Sequence, residues 1–288
     1  MSENQNLFIK SKYRLKKFLY FFYGEKFFKK IRYDWGKFPK RYEIIQNIIN
    51  LNQYKSYLEI GCDKNQSFSS VNIDRRVGVD PVEGGTIKMT SDDFFLNNQE
   101  KFDIIFIDGL HEYHQVIKDI QNSLKFINNN GVILLHDCLP RTIWNQITPR
   151  INSDWNGDVW KAIVECRTYD DIDTYTCIAD RGIGIIFKRN NRNKLLIDKT
   201  NFKKLTYKEY FFNHNHFMNL INHNKINELF NVQKYDAEFE YNEAMKSTKK
   251  YQSIVWEVII DNRPCGRGKK FEHFKESLDM LIEHFDIK

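Results

Sequence analysis

Short apolar runs alternate with amphipathic stretches through the middle of the chain. Residues 104–107 form a continuous apolar run, as expected of a strand that is buried on both faces. Residues 116–127 carry apolar side chains at helical spacing, and Asn130 and Gly131 are expected to end this helix. Residues 132–135 form a second apolar run. The pattern predicts a strand–helix–strand crossover whose two strands are parallel and adjacent.

The same alternation continues on both sides of this crossover. Further strands are expected at residues 56–60, 77–79, 86–89, 174–179 and 183–187, and helices at residues 41–51, from about residue 94, and at 159–168. Residues 91–93 are expected to form a loop that caps the helix near residue 94. Turn residues 180–182 separate the last two strands, which predicts an antiparallel hairpin. The fold class that follows is α/β, with a mostly parallel sheet that ends in this hairpin.

Periodicity and composition divide the chain into three segments. Residues 1–40 interleave lysines and arginines with aromatic residues, residues 41–189 carry the α/β pattern, and residues 190–288 form an extension with weaker periodicity. In this extension, residues 207–224 and 271–285 are expected to be helical and residues 254–260 to form a strand. The C-terminal extension is therefore expected to be an α+β segment in which helices predominate.

The basic, aromatic N-terminal segment allows two interpretations. Residues 10–32 are consistent with an amphipathic helix that lies on an anionic membrane surface. We favour the alternative, in which the aromatic side of the segment docks on the neighbouring domain and its lysines stay in water. Nucleic acid is not an expected partner, because the formal net charge of +6 is modest and the chain carries no recognised binding motif.

Cysteine usage favours a cytoplasmic protein. Five cysteines are scattered along the 288 residues without a CxxC pair, which argues against a disulfide framework or a zinc ribbon and fits a reducing compartment. No apolar run has the length of a transmembrane span, and the N-terminus lacks the continuous apolar core of a signal peptide.

Acids and histidines follow the two strands of the crossover. Asp108 and His111 come after the first strand, and His136 and Asp137 after the second. Because ligands of open parallel sheets bind beyond the carboxyl ends of the strands, these residues are candidates for the chemistry. Histidine is suited to take a hydroxyl proton near neutral pH, and Asp108 with Asp137 is suited to hold Mg²⁺. The alternative for Asp108 is that it only caps the following helix.

A second candidate site lies earlier in the chain. Asp80 follows Gly61 by about twenty residues, the spacing at which a nucleotide-binding βαβ unit places an acid to accept hydrogen bonds from ribose hydroxyls. Gly61 and Asp80 are therefore candidate cofactor-binding residues.

The motifs LEIG, VGVDP, MTSDDFF, FIDGLHEYHQVIKDI and GVILLHDC resemble those of class I, S-adenosylmethionine-dependent methyltransferases. Within this class they are most similar to the branch that includes macrocin-type sugar O-methyltransferases and proteins of bacterial surface-glycan gene clusters. The resemblance covers roughly residues 41–189. It implies a doubly wound, Rossmann-like sheet of seven strands with helices on both faces, and S-adenosylmethionine as the cofactor.

The resemblance also implies roles for single residues. Asp108 would face the reacting centre, at the edge of the cofactor-binding site. The cofactor would lie against Glu59 and Gly61 at its methionine part, Asp80 at its ribose, and Thr90, Ser91 and Asp92 near its adenine. The sequence departs from the family pattern in two ways: the usual G-x-G-x-G loop keeps the single glycine Gly61, and His136 replaces one of the acids that hold a metal in the macrocin-type enzymes.

Together these observations predict a cytoplasmic methyltransferase that uses S-adenosylmethionine to methylate a hydroxyl group of a sugar or glycan precursor. His111 or His136 would act as the base. The expected acceptor is a small molecule, a sugar nucleotide or a glycan, and the resemblance allows a homo-oligomer. Two alternatives stay open: a methyltransferase of a small non-sugar metabolite, and a non-catalytic binding module with a degenerate methyltransferase fold.

Overall fold

The structure, a computed structural model, describes residues 11, 15, 30–33, 35–148, 150 and 153–230. Most of the N-terminal segment 10–32, the expected strand at 254–260 and the expected helix at 271–285 lie outside these residues. Within the described part, no helix combines the length and the apolar character that a membrane crossing requires.

Seven strands and eight α-helices make up the described part of the chain. The strands are β1 (Ser56–Ile60), β2 (Arg75–Val79), β3 (Phe102–Ile107), β4 (Ile127–Leu135), β5 (Asp173–Cys177), β6 (Ile183–Phe187) and β7 (Leu220–Ile221). The helices are α1 (Arg41–Asn52), α2 (Gln66–Ser70), α3 (Ser91–Asn97), α4 (Tyr113–Phe126), α5 (Ile143–Gln146), α6 (Val159–Cys166), α7 (Tyr207–Met218) and α8 (Ile226–Phe230). Three short 3₁₀ turns lie at Trp35–Lys37, Phe202–Lys204 and His223–Lys225.

All seven strands form one sheet in the order β2-β1-β3-β4-β6-β5-β7. Strands β1 to β4 pair in parallel, β6 is antiparallel to both β4 and β5, and β7 is parallel to β5. The predicted doubly wound, Rossmann-like α/β fold and its antiparallel hairpin are therefore confirmed. The crossover β3–α4–β4 is confirmed as a parallel, adjacent pair, with Ile107 opposite Leu135 at its carboxyl end.

Helices cover both faces of the sheet because alternate residues of each buried strand point to opposite sides. Ile105 and Ile107 of β3 belong to a core that also includes apolar side chains of α4, α6 and α7. Ile104 and Phe106 belong to a second core with side chains of α1 and α8. The carboxyl ends of β1, β3 and β4 are thereby fixed side by side between the two layers of helices.

Residues 86–89 do not form the expected strand. Gly84 and Gly85 both adopt a left-handed conformation with φ 67°, and they turn the chain back on β2. The amides of Thr86 and Ile87 then both donate to the carbonyl of Gly78, at 2.8 and 2.9 Å. Ile87 consequently makes an isolated bridge instead of a strand.

The seventh strand is β7, which lies in the stretch 207–224 that was expected to be entirely helical. Helix α7 ends at Met218 because Asn219 adopts a left-handed conformation with φ 47°. The side-chain amide of Asn219 donates to the backbone carbonyl of Thr174 at 3.0 Å, and the backbone carbonyl of Asn219 accepts from the backbone amide of Thr176 at 3.2 Å. These bonds direct the chain along the edge of β5.

Two predicted helix boundaries also need correction. Helix α4 ends at Phe126, and β4 begins at Ile127, before the Asn130-Gly131 pair that was expected to end the helix. Pairing starts early because Asn128 Nδ2 donates to Asp103 Oδ1 at 2.6 Å beside the first residues of β3. Helix α3 begins at Ser91 rather than near residue 94, since the Thr90 hydroxyl caps it.

Residues 190–230 pack against the same sheet. Besides β7, a buried arginine connects this stretch to α6: the Arg167 guanidinium donates to the carbonyls of Phe217 at 3.3 Å, of His216, and of Asn193 at 2.6 Å. The last turn of α7 therefore receives a positive charge where its carbonyl groups lack helical partners.

Candidate functional site

Asp108 lies at the centre of a cluster formed where β3 and β4 end. Its Oδ1 lies 3.2 Å from Nε2 of His111 and 3.0 Å from Nδ1 of His136. Asp137 approaches from the neighbouring strand, with its Oδ2 3.3 Å from Nδ1 of His111 and 3.5 Å from Nδ1 of His136. The four candidates from the crossover are thus brought together, as the parallel arrangement of the strands predicts.

Asp137 is fixed by its backbone and by Asn156. It adopts a left-handed conformation, φ 59°, which is uncommon for residues other than glycine but is tolerated by aspartate. Asn156 Nδ2 donates to Asp137 Oδ1 at 3.0 Å and to its carbonyl at 3.1 Å. The carboxylate is 4% exposed and has little freedom to move.

A third carboxylate, Asp180, approaches the cluster from the β5–β6 turn. Its Oδ1 lies 3.8 Å from Nε2 of His136, and its Oδ2 accepts from the backbone amide of Arg41 at 2.8 Å. The Nε of Arg41 lies 3.6 Å from Oδ2 of Asp108. The start of α1 is thereby tied to the site, although the sequence marked Asp180 only as a turn residue.

The carboxylates and the imidazoles strongly perturb one another. Burial raises the pKa of Asp108, but the adjacent His136 and His111 outweigh it and hold this pKa well below its usual range. Burial lowers the pKa of His136, but Asp108 and Asp137 outweigh it and raise the pKa to about 10. The pKa of His111 is raised for the same reason, against the effect of burial. A protonated imidazole cannot accept a proton, so either histidine can act as a base only when its surroundings favour the neutral ring.

Three of these residues present a possible metal site. Asp108, His111 and Asp137 each offer one ligand atom, and these atoms lie within 4.8 Å of one another. The two acids are the pair expected from the sequence, whereas His111 was considered only as a base. Two carboxylates with one imidazole fit a divalent cation, and the nitrogen ligand suits a transition metal better than Mg²⁺.

The segment between α5 and α6 holds His111 in place. The indole of Trp155 stacks on the His111 ring with centroids 5.2 Å apart. A side chain on Gly157, φ 63°, would lie 1.7 Å from the carbonyl oxygen of His111, so only glycine permits this contact. Asp158 Oδ1 accepts from the first amide of α4, that of Tyr113, at 2.6 Å. The alternative that Asp108 caps this helix is therefore wrong.

The loop after β1 compensates for its missing glycines. Gly61 has φ 87°, and a side chain there would lie 2.5 Å from the carbonyl oxygen of Asp108. Asp63 and Asn65 adopt left-handed conformations with φ 43° and 61°. Asp and Asn tolerate this conformation better than other side chains. The loop therefore reaches a tight path with one glycine.

Asp80 connects this loop to the turn after β2 through four backbone amides, two from each segment. Its Oδ2 accepts from Cys62 and Asp63 at 3.0 Å each, and its Oδ1 accepts from Val82 and Glu83 at 2.8 and 2.9 Å. Burial raises the pKa of Asp80, but these amides outweigh it and lower the pKa. Because a carboxylate offers about four acceptor positions, a ribose hydroxyl would have to share them.

The remaining cofactor candidates flank this loop. Glu59, only 2% exposed, accepts a hydrogen bond from the Tyr57 hydroxyl, and burial raises its pKa to about 8. Thr90 caps α3, Ser91 accepts from Gln115, and Asp92 pairs with Lys118 of α4. These contacts tie the expected adenine side to α4. The cofactor roles stay predictions.

Comparison with known proteins supports a methyltransferase domain. Residues 54–138 match a family model described as a methyltransferase domain. This stretch includes β1 to β4 together with Asp80 and the acid–histidine cluster at the ends of β3 and β4. Together with the fold, the match supports the class I, S-adenosylmethionine-dependent methyltransferases as the class to which this domain is similar. No curated protein sequence matches the chain.

Solved structures with a similar fold include several methyltransferases. An S-adenosylhomocysteine-bound methyltransferase from Podospora anserina is 16% identical, with 54% of this chain and 81% of that chain covered and a TM-score of 0.41. A putative caffeoyl-CoA O-methyltransferase from Staphylococcus aureus is 16% identical, with 53% and 87% covered and a TM-score of 0.41. The MycE methyltransferase of the mycinamycin pathway, solved with Mg and S-adenosylhomocysteine, is 13% identical, with 55% and 50% covered and a TM-score of 0.36.

Proposed function

We propose that this chain transfers the methyl group of S-adenosylmethionine to a hydroxyl group of a sugar or glycan precursor in the cytoplasm. The observation that carries the proposal is the cluster of Asp108, His111, His136 and Asp137 at adjacent strand ends, inside the stretch that matches a methyltransferase domain. Methyl transfer to oxygen needs alignment of the hydroxyl and an acceptor for its proton. Carboxylates and imidazoles within 3.5 Å of one another supply groups for both tasks.

The cofactor is proposed to lie over the loop after β1. S-adenosylmethionine supplies an electrophilic methyl carbon bound to sulfonium sulfur. Glu59 and Gly61 would contact its methionine part, and Asp80 would keep the loop in place while sharing its oxygens with the ribose. Thr90, Ser91 and Asp92 would border the adenine. Asp108 then stands between the cofactor end of the sheet and the proposed acceptor end, next to Gly61.

The acceptor is proposed to lie over the ends of β3 and β4. Asp108 and Asp137 would orient its hydroxyl group, and His111 or His136 would receive the proton. As the oxygen bonds to the methyl carbon, the carbon–sulfur bond breaks and S-adenosylhomocysteine leaves. If a divalent cation takes part, Asp108, His111 and Asp137 would hold it, and it would lower the pKa of the acceptor hydroxyl. His111 would then be occupied as a ligand, which leaves the base role to His136. The cation would neutralise the charge of Asp108 and Asp137, which raises the pKa of His136, and would thereby favour the neutral ring that this role requires. The support for a sugar acceptor is the resemblance of the FIDGLHEYHQVIKDI and GVILLHDC motifs to macrocin-type enzymes.

Calorimetric titration with S-adenosylmethionine and S-adenosylhomocysteine, with and without Mg²⁺, tests the cofactor part. We expect binding in the wild type and weaker binding in Asp80→Ala. Asp74→Ala is the matched control, because Asp74 is exposed and pairs with Lys55 at the amino ends of β1 and β2, opposite to the carboxyl ends that carry the proposed site. Since Asp80 also holds the loop, circular dichroism must show that the variant is folded. No binding at millimolar cofactor would refute the proposal and favour a non-catalytic module.

The acceptor part needs a second assay. Release of S-adenosylhomocysteine is measured with nucleotide sugars, sugar phosphates and free sugars, and in parallel with small phenols and amines as non-sugar acceptors. Asp108→Asn should keep cofactor affinity and lose turnover, because it removes the charge that organises both histidines. Turnover with the phenols or amines alone would refute the sugar acceptor and favour a methyltransferase of a small non-sugar metabolite.

A further inference from the structure

Two arginines share a single carboxylate beside the acid–histidine cluster. The guanidinium of Arg181 lies 2.8 Å from Oδ1 of Asp154, and that of Arg141 lies 2.9 Å from Oδ2 of the same residue. Arg181 also approaches the cluster, with one nitrogen 3.7 Å from Oδ1 of Asp137. Arg141 packs its guanidinium over the ring of Trp35 at 4.6 Å. Both cations therefore border the end of β4.

The backbone of the β5–β6 turn directs Arg181 toward the site. Asp180, Arg181 and Gly182 all have positive φ, at 37°, 66° and 94°. An arginine in this conformation is unfavourable unless the surroundings impose it. Here the carbonyls of Arg181 and Gly182 accept from the amides of Leu139 and Cys138, at 2.8 and 3.1 Å, directly after Asp137. The turn and the end of β4 are thus held together, and the arginine is held with them.

The carboxylates around this pair are shared with other partners. Asp154 is 41% exposed and serves both guanidinium groups. Asp137 is already engaged by Asn156 and lies close to His111, and Asp180 is engaged by Arg41. The side chains of Arg181 and Arg141 are 34% and 23% exposed, so both remain accessible to a ligand. Guanidinium forks match the oxygens of a phosphoryl group in geometry and in charge.

We propose that Arg141 and Arg181 bind a phosphoryl group of the acceptor, so that the methylated sugar is a phosphorylated or nucleotide-linked sugar rather than a neutral one. This inference rests on the proposed function. In the same site, the phosphoryl group would replace Asp154 as the partner of at least one arginine. The sugar would then extend from this anchor toward Asp137 and Asp108.

The test is calorimetric titration of the full chain, saturated with S-adenosylhomocysteine, at constant ionic strength and without divalent cations. The probes are pyrophosphate, uridine diphosphate, glucose 1-phosphate and glucose. We expect the phosphorylated probes to bind, glucose to bind far more weakly, and Arg181→Gln or Arg141→Gln to weaken binding by about tenfold or more. Arg181→Lys should fall between, because it keeps the charge and loses the fork. Arg75→Gln should leave binding unchanged, because Arg75 is an exposed arginine of β2 that pairs with Glu100.

Asp154→Asn gives the sharpest control. If the arginines serve a ligand, removing their shared carboxylate frees them, and phosphoryl probes should bind more tightly. If Asp154 and the two arginines form only a structural ion-pair network, this variant should bind the phosphoryl probes no more tightly than the wild type does. That result would overturn the inference, as would equal binding of the probes to Arg181→Gln and the wild type. Tighter binding of uridine diphosphate than of glucose 1-phosphate would identify a nucleotide-linked acceptor, and the reverse a sugar phosphate.

The cofactor titration distinguishes failure of the phosphoryl anchor from failure of the methyltransferase proposal. If S-adenosylhomocysteine binds but the phosphoryl probes do not, the phosphoryl anchor is refuted while the methyltransferase proposal stands. If the probes bind in an arginine-dependent way but the cofactor does not, the proposed reaction is refuted and an anion site remains.

Discussion

Replacement of Glu59 by Gln should change how stability depends on pH. Glu59 is 2% exposed at the end of β1, and burial raises its pKa from 4.5 to about 8. A raised carboxyl pKa means that the protonated form stabilises the fold. This contribution is complete below about pH 4.5 and is lost as the pH rises through about 8. The gap corresponds to roughly 3–5 kcal/mol, at about 1.4 kcal/mol for each pH unit with some relief from structural relaxation. Glu59→Gln stays neutral and can still accept from Tyr57, so it should not suffer this loss.

Urea denaturation between pH 5 and 8.5 measures the effect. The stability of the wild type relative to Glu59→Gln should fall by roughly 3–4 kcal/mol across this range, because about half a pH unit of the gap lies below pH 5. The matched control is Glu100→Gln, at a carboxylate that is 60% exposed. A difference between wild type and Glu59→Gln that does not vary with pH would refute the assignment of a neutral, buried Glu59.

Three further results are expected. Gly61→Ala should lower the free energy of unfolding by about 2–4 kcal/mol, because its new side chain would meet the carbonyl of Asp108. Gly36→Ala should cost far less, because no atom lies within 4 Å of a side chain added there. Equal losses in urea denaturation would contradict this expectation. Mn²⁺ should raise the melting temperature more than Mg²⁺, and His111→Ala should abolish the difference; identical shifts in the wild type would argue against His111 as a ligand. Arg167→Met should lower the free energy of unfolding, measured by urea denaturation, by about 3 kcal/mol, since it leaves the carbonyls at the end of α7 without a donor. A loss below about 1 kcal/mol would show that those carbonyls find other partners.

The sequence was sufficient to predict the crossover and the grouping of the polar residues that follow its two strands. Two apolar runs around an amphipathic helix favour parallel strands whose carboxyl ends share one edge of the sheet, and this brings Asp108 and Asp137 to the same edge. The single-glycine loop could also have been understood from its composition, because Asp63 and Asn65 tolerate the left-handed conformation that glycine would supply.

Other parts of the site have no local signal. Trp155 and Asn156 belong to a stretch without periodicity, and they reach His111 and Asp137 only through tertiary packing. Asp180 is a turn residue whose contact with Arg41 spans 139 positions. Strand β7 has two residues, too few to show an alternating pattern. Each of these features depends on long-range contacts, which a single sequence does not reveal.

Strand β7 has a consequence for the order of events during synthesis. Until residues 220–221 leave the ribosome, β5 is the outermost strand, with Tyr175 and Cys177 fully buried in the finished protein. An uncovered, apolar edge strand is a template for pairing with another chain. A chain that stops at residue 189 should therefore sediment as aggregate, whereas one that stops at residue 230 should stay in the supernatant. For the few seconds that translation needs to cross this stretch, the nascent protein depends on chaperones or on the speed of the ribosome to keep that edge for β7.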